Sequence, residues 1–461
     1  RGAGGVREDY ARFLAGKAPK PVAMGVEPLP MPAHLFDFQA AATAFCIRQG
    51  RAALFLDTGL GKTVCELEFA AQGAAATNGW ALILTPLAVA RQIETEGRRF
   101  GYDCRVIRDM SQTGPGINIC NYDRLDKLDC DAFGCVVLDE SSILKSFTGA
   151  TTRALIASFQ GVRFRLCATA TPAPNDHTEL GNHAEFLGIM NQADMLVRWF
   201  INDTNDTGTW RLKGHAAAQF WDWCASWAVM ASSPSDLGFD GSRFVLPEMK
   251  IIRHQVRAEI VPDDGLFGFS VSATDIFNLK RQTAEARADA VADLVASQPD
   301  EPWLIWCDID AEADALVKRI PEAVEVRGSH SPEKKEAAIA AFVSGERRVI
   351  VSKTKIMGAG LNLQRCARMA FVGRSFSYES WYQAVRRCWR FGQTRPVHVH
   401  LIVAEGEDQI GRVIDRKAEG HEAMKENMRD ASCRSMAKSS EVKVPYAPTY
   451  EGRFPTWLFA A

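Results

Sequence analysis

The chain has 461 residues, 47% of them hydrophobic, and its 54 Lys and Arg against 56 Asp and Glu leave a net charge of −2. That length suggests roughly two to four domains, each able to bury a full core. The charge balance excludes a globally basic nucleic-acid binder, so such a partner would have to sit in a local groove.

Residues 1–32 are rich in Gly, Pro and Ala, with Pro19, Pro21, Pro28, Pro30 and Pro32, and are expected to form a flexible or loosely docked arm. The chain begins at Arg1 rather than Met, so its natural start is expected to lie upstream. Over 33–190, short apolar runs alternate with helix-like stretches. The runs are Ala52–Leu56, Ala81–Leu84, Ile117–Cys120, Cys135–Leu138 and Phe164–Ala168. Buried parallel strands have this pattern, which predicts a doubly wound α/β lobe. Over 191–275 the character changes, with Trp199, Trp210, Trp221, Trp223 and Trp227. Phe220, Trp223, Cys224 and Trp227 share one helix face, so this stretch reads as a small helical inter-lobe insertion whose aromatics form a core. The sharper reading is a wedge or a nucleic-acid contact. Over 276–428 the α/β rhythm returns, with candidate strands Trp303–Cys307, Val324–Val326, Val349–Ser352, Met369–Val372 and Val397–Val403. Residues 429–461 read as a polar, irregular tail with an aromatic patch at Phe454 and Trp457. The twelve cysteines form no CxxC pair, and Cys130 to Cys135 does not fit a zinc finger. They read as reduced, mostly buried thiols of a cytoplasmic protein. No apolar run reaches the ~18 residues that a membrane helix needs, and the N-terminus lacks a charged-then-apolar leader.

In the first lobe, Ala53-Leu54-Phe55-Leu56-Asp57 feeds into Thr58-Gly59-Leu60-Gly61-Lys62-Thr63 and then a helix-like stretch. A phosphate cradle needs this order. Glycines let backbone amides approach phosphate oxygens, and a helix N-terminus favours negative charge. Lys62 would reach the β- and γ-phosphates, and Thr63 would ligate Mg²⁺. Leu56 stands where the full Walker pattern has its first glycine, so the match is to the shorter GxGKT form. Val136-Val137-Leu138-Asp139-Glu140 is an apolar strand ending in two carboxylates. Asp139 would hold Mg²⁺ through water, while Glu140 would orient and deprotonate an attacking water. Gln39 could read an adenine edge. Thr85, Asn121 and Tyr122 are candidates for contact with a nucleic-acid backbone, and the hydroxyls of Thr169 and Thr171 for coupling the two sites.

In the second lobe, Gln383, Arg387 and Arg390 fall at i, i+4 and i+7, which predicts one helix face, with Arg386 off that stripe. Two guanidiniums so placed can stabilise charge on a transferring γ-phosphoryl group. Gly358-Ala359-Gly360-Leu361-Asn362-Leu363-Gln364 comes after a candidate strand. Gly358 and Asn362 are further groove candidates, and Gly360 a nucleotide candidate.

These segments resemble the ordered motifs of superfamily-two helicases of the Swi/Snf type, over roughly residues 33–430. The compact helicases encoded by bacteriophages and prophages are the nearest likeness. Gln39 falls on the adenine-reading motif, Asp57 to Thr63 on motif I and Asp139-Glu140-Ser141-Ser142 on motif II. Thr169-Ala170-Thr171-Pro172, continuing through Asn175, Glu179 and Leu180, falls on motif III. Gly328-Ser329 with Ala341-Phe342 falls on the segment after motif IV, and Gly358 to Gln364 on motif V. Gln383-Ala384-Val385-Arg386-Arg387-Cys388-Trp389-Arg390-Phe391-Gly392-Gln393 resembles motif VI. The resemblance implies two RecA-like lobes around a nucleotide cleft, with ATP and Mg²⁺ as cofactors and Arg387 and Arg390 as arginine fingers. It also implies DNA as partner, phage replication or recombination proteins nearby, and a monomeric motor. Ser141-Ser142 departs from the Ala-His or Ala-Asp of many relatives, which puts contacts from the fourth position to motifs III and VI in doubt. An RNA helicase, a translocase that displaces proteins without unwinding, and a silent binding scaffold remain as alternatives. The intact Lys62, Glu140, Arg387 and Arg390 argue against the last.

Overall fold

The computed structural model describes residues 21–87, 89–146, 148–202, 210–257, 273–357, 362–404 and 408–440. Its first sheet contains β1 (Arg51–Leu56), β2 (Trp80–Thr85), β3 (Cys104–Val106), β4 (Gly116–Asn121), β5 (Cys135–Asp139) and β6 (Phe164–Ala168). A small antiparallel hairpin, β7 (Phe200–Asn202) and β8 (Trp210–Leu212), precedes its last strand, β9 (Ala228–Ala231). The order is β3-β4-β2-β5-β6-β1-β9, with all neighbours parallel. Around it lie α1 (Asp37–Gln49), α2 (Lys62–Ala75), α3 (Ala90–Arg99), α4 (Ala150–Ser158), α5 (Leu180–Leu187), α6 (Gln192–Trp199) and α7 (Ala217–Ala225). Strands β5 and β6 are buried at every position. A parallel sheet covered on both faces imposes this burial, and it is why these strands read as continuous apolar runs.

The second sheet runs β10 (Met249–Val256), β11 (Trp303–Cys307), β12 (Val324–Val326), β13 (Val349–Lys353), β14 (Arg368–Phe371) and β15 (Val397–Ala404) in the chain. In space the order is β10-β15-β14-β11-β13-β12, again all parallel. Its helices are α8 (Ala273–Ser297), α9 (Asp310–Arg319), α10 (Pro332–Ser344), α11 (Thr354–Met357), α12 (Tyr378–Val385) and α13 (Asp408–Ser440). Two parallel α/β lobes are present, as the alternating pattern predicts, and they fit the RecA-like architecture.

Two boundaries differ from the sequence reading. The described part of 191–275 does not stand apart as an inter-lobe insertion, although its aromatics do form a core as expected. Its Trp199, Trp221, Trp223 and Trp227 pack in one cluster with Ala53 and Phe55 of β1, and the Trp199 and Trp223 rings lie 4.6 Å apart. Strand β9 covers the free edge of β1, and β10 pairs with β15 in the other sheet. A four-residue strand such as Ala-Val-Met-Ala carries too little periodicity to be read, yet an exposed edge needs a partner. Residues 429–440 of the expected irregular tail are helical instead, because α13 continues through them without Gly or Pro to stop it. Phe454 and Trp457 lie outside the described residues. Helix α13 bridges the lobes. Ile410 and Ile414 pack with Tyr378 and Tyr382 of α12, whereas Met424, Met428 and Ala431 enter the first lobe's core. The N-terminal stretch lies along the first lobe from residue 21, with the Met24 and Val26 amides donating to the carbonyls of Gln49 and Ile47.

Candidate nucleotide site between the lobes

Strand β1 ends at Leu56, the chain turns through Asp57 to Gly61, and α2 begins at Lys62. Gly59 and Gly61 adopt φ of +94° and +75°, which side chains rarely tolerate. Space demands glycine as well. A Cβ on Gly61 would come within 2.3 Å of Gln39 Nε2, and one on Gly59 within 2.9 Å of the Phe391 amide nitrogen. One glycine is therefore fixed by the floor of the loop and the other by the opposite lobe. No side chain caps α2 at Gly61, so its first amides are left to a ligand. Thr58, Gly59 and the Lys62-Thr63 turn are half-buried, whereas Leu60 is buried. Lys62 Nζ donates to the Leu56 carbonyl at 2.9 Å. Gln39 is buried with both ends of its amide engaged. Nε2 donates to the Leu60 carbonyl at 2.8 Å, and Oε1 accepts from the Phe36 amide at 3.0 Å. In this arrangement it supports the loop from below rather than presenting a free amide to a base.

Asp139 closes β5. Its Oδ2 accepts a hydrogen bond from Thr85 Oγ1 at 2.6 Å, and its carbonyl accepts one from Tyr122 Oη at 2.7 Å. These contacts correct two groove assignments. Thr85 and Tyr122 are buried, and each points its hydroxyl at Asp139 instead of outward. Asn121 is half-buried, and its Oδ1 has no partner among the described residues. Asn362 is exposed, with Oδ1 accepting from the Gln364 amide at 3.4 Å. Gly358 and Gly360 lie outside the described residues.

Glu140 has φ +52°, the only positive value at a non-glycine residue among those described. A left-handed conformation costs such a residue about 1–2 kcal/mol and tends to mark a functional position. Its Oε2 accepts from Thr169 Oγ1 at 3.3 Å and, across the cleft, from Gln383 Nε2 at 3.5 Å. The Thr171 amide donates to Thr169 Oγ1 at 3.1 Å. The unusual Ser141-Ser142 turns away from this route. Ser141 Oγ pairs with His183 Nε2 at 3.2 Å, and Ser142 Oγ donates back to the Glu140 carbonyl at 3.4 Å. The crossing to motifs III and VI therefore leaves from Glu140 itself.

A buried carboxylate that the sequence reading missed stands close by. Glu66 of α2 is fully buried, and neither of its oxygens has a partner among the described residues. Burial, then Asp139, raises it well above the usual carboxylate range. Burial, then Glu140, likewise pushes Asp139 up, against the Thr85 hydrogen bond. Lys62 faces both groups. This cluster of buried carboxylates, with both Glu66 oxygens lacking a partner among the described residues, fits a divalent cation shared with phosphate oxygens. Asp139 and Thr63 are the hard-oxygen donors that would hold Mg²⁺.

The motif VI arginines do not sit on one helix face. Helix α12 ends at Val385, and residues 386–393 form tight turns. Arg390 donates its amide to Cys388, and Gly392 has φ +93°. Gln393 Nε2 stitches the turn to motif V by donating to the carbonyls of Gln364, Cys366 and Cys388. Carbonyls from two separate segments, gathered by one side chain beyond the end of α12, thus override a spacing that looked helical. Gln383 remains on α12. Arg387 is buried and pushed down to about 10 by burial, with Glu140 as its main opposing charge. Arg390 is also lowered by burial, and its opposing charge is Glu96 of α3. Arg386, set aside as off the stripe, is buried against Asp57 of the other lobe at 2.5 Å.

The turn after α12 falls within a stretch that other proteins share. Residues 286–392 match the helicase conserved C-terminal domain. The matched stretch runs from α8 to Gly392 and so includes the segments resembling motifs V and VI. Across 83% of this chain and 44% of the relative, the sequence is 22% identical to a SWI/SNF-related matrix-associated actin-dependent regulator of chromatin subfamily A-like protein 1 from Xenopus tropicalis. Over 64% of this chain and 30% of the relative, it is 23% identical to the DNA annealing helicase and endonuclease ZRANB3 of Mus musculus. A shorter match, 34% identical over 110 residues, is to a chromodomain-helicase-DNA-binding protein 1-like protein of Danio rerio. The chain spans less than half the length of these curated relatives. The matches support a superfamily-two helicase likeness of the Swi/Snf type. Among the described residues, no helix is long and apolar enough to cross a membrane.

Proposed function

We propose that the chain is an ATP-dependent DNA translocase or helicase. The observation that carries this reading is the approach of the two lobes at the phosphate loop. Gly59 meets the backbone of Phe391, next to Arg390, and Glu140 meets Gln383. ATP would bind on the first lobe, with its phosphates on the loop 58–63 and the first turn of α2. Mg²⁺, held by Asp139 and Thr63, would supply charge neutralisation at the phosphates. Glu140 would orient the attacking water and take its proton, under the control of Thr169 and Gln383. Arg387 and Arg390 would stabilise charge on the departing γ-phosphoryl group. Reopening after hydrolysis would alternate the grip on the DNA backbone, a contact that is sequence-independent and salt-sensitive. Asn121, Gly358 and Asn362 remain the candidates for that grip. The likeness to compact phage helicases, a host-cell cytoplasmic setting and replication or recombination partners rest on the motif resemblance alone.

The test is ATPase activity with no nucleic acid, duplex DNA, single-stranded DNA and RNA, for wild type and Glu140→Gln. We expect DNA to stimulate turnover, and Glu140→Gln to lower it by about 10²–10⁴-fold. No stimulation by any polymer would sink the motor reading, and stimulation by RNA alone would make the chain an RNA helicase.

A further inference from the structure

Asp57 is a buried charge in the cleft with both oxygens engaged, and the proposed chemistry does not use it. Its Oδ1 accepts from the Thr58 amide at 2.6 Å and from Tyr382 Oη. Its Oδ2 faces Arg386 Nη2 at 2.5 Å and Lys425 Nζ at 3.6 Å. These partners come from three places: the phosphate loop, the region of α12, and α13. Asp57 and Arg386 are both buried. The guanidinium lies 4.5 Å from the Trp389 ring centroid and 5.2 Å from that of Tyr382, and Trp389 is itself tied to the Pro247 carbonyl at 2.8 Å. A planar guanidinium held by a carboxylate and two rings has little freedom.

The place of Arg386 in the chain gives this arrangement its meaning. Arg387 is the next residue, and Arg390 lies at the end of a turn closed by the Trp389 amide on Val385 and the Arg390 amide on Cys388. The backbone of this short turn is shared, so fixing Arg386 limits where the turn can carry either finger. On the opposite side, Asp57 holds the amide that opens the phosphate loop.

We infer that Arg386 is a positioning residue: its ion pair with Asp57, completed by Tyr382 and by Lys425 of α13, sets the distance between the phosphate loop and the turn carrying Arg387 and Arg390. The pair exists only while the lobes are together, so it registers closure. Lys425 makes α13 part of that register. This inference rests on the ATPase reading for its kinetic consequence but not for the tie itself.

The experiment compares Arg386→Met, Asp57→Asn, the Asp57→Asn/Arg386→Met double variant and Arg386→Lys. Three quantities are measured: ATPase kcat and KM, the dissociation constant of a fluorescent ATP analogue with Mg²⁺, and amide hydrogen exchange of segments 57–63 and 386–393. Each single variant is expected to lower kcat about tenfold or more while changing analogue affinity by less than about threefold, since a small misplacement acts on the transition state. The double variant is expected to be no slower than the worse single variant, because both remove one interaction. Arg386→Lys should recover part of the loss, and exchange should quicken in both segments of Arg386→Met. Removing one partner of a buried pair can unfold a protein. The double variant, which leaves no buried charge unpaired at these two positions, supplies the folded comparison in that event. Unchanged kcat in Arg386→Met, or losses that multiply in the double variant, would overturn the inference. A wild type with no ATPase activity would defeat the functional reading instead, and the exchange data would still decide the tie: unchanged exchange in both segments sinks it.

Discussion

The two faces of the cleft carry opposite charges, and burial drives both toward neutrality. On the first lobe it pushes Asp139 and Glu66 up. On the second it pushes Arg387 down to about 10 and lowers Arg390. Asp57 departs from this rule. Burial would raise it too, but Arg386, then Lys425 and the Tyr382 hydroxyl, outweigh burial and hold it below the usual carboxylate range. The difference separates finished from unfinished electrostatics. Asp57 has met Arg386 across the cleft, and both of its oxygens are engaged. Asp139, Glu66, Arg387 and Arg390 are held at a cost in desolvation, which fits the proposed role of this side as the seat of a charged ligand.

The largest expected effect tests the unfinished side. Arg390→Ala should lower kcat by about 10³–10⁵-fold, the range for an arginine that stabilises a transferring phosphoryl group. Binding of a fluorescent ATP analogue should stay within a few-fold of wild type. Equal losses in binding and turnover would move Arg390 from the transition state to the ground state and blur the distinction drawn from Asp57.

Much of this site can be read from the sequence because its backbone requirements are local. Gly59 and Gly61 announce a turn, and Asp139 and Glu140 close an apolar run, so strand, loop and helix fall where the pattern predicts. Legibility ended where a side chain had two physically acceptable destinations. Thr85 and Tyr122 come at or just after strand ends, as groove residues would, but their hydroxyls turn inward to Asp139. Nothing in a linear pattern distinguishes the two directions. The spacing of Gln383, Arg387 and Arg390 suggested a helix, but the carbonyls gathered by Gln393 belong to segments far apart in the chain. Asp57 was visible as the first residue of its motif, whereas its partner Lys425 lies on a helix with no motif at all.

A smaller effect concerns a buried acid beside the cleft. Burial pushes Glu179 up to about 7, against two hydrogen bonds from Asn175. The folded state therefore binds this proton more tightly than the unfolded chain, and Glu179 lowers stability as pH rises from about 4.5 through about 7. Glu179→Gln keeps one Asn175 bond and removes the charge. It should be more stable than wild type by about 1–2 kcal/mol at pH 8, with the advantage lost at acid pH, as read by denaturant unfolding. A wild type more stable than the variant at pH 8 would mean that the carboxylate is adequately paired there, like Asp57.

The smallest effect isolates burial from geometry. Lys145 Nζ lies 2.6 Å from Glu379 Oε2 across the same cleft, almost the separation of Arg386 from Asp57, but the lysine side chain is 44% exposed against 8% for that of Arg386. Water already solvates the Lys145 charge and screens its attraction, and Glu379, 12% exposed, gains the solvent that a truncated lysine vacates. Lys145→Ala should cost no more than about 0.5–1 kcal/mol, whereas breaking the Asp57 pair from one side should cost about 3–5 kcal/mol. Parallel denaturant melts of Lys145→Ala and Arg386→Met measure the ratio. Near-equal losses would mean that two cross-lobe contacts of the same length do the same work whatever their burial, and that desolvation is not what distinguishes Asp57.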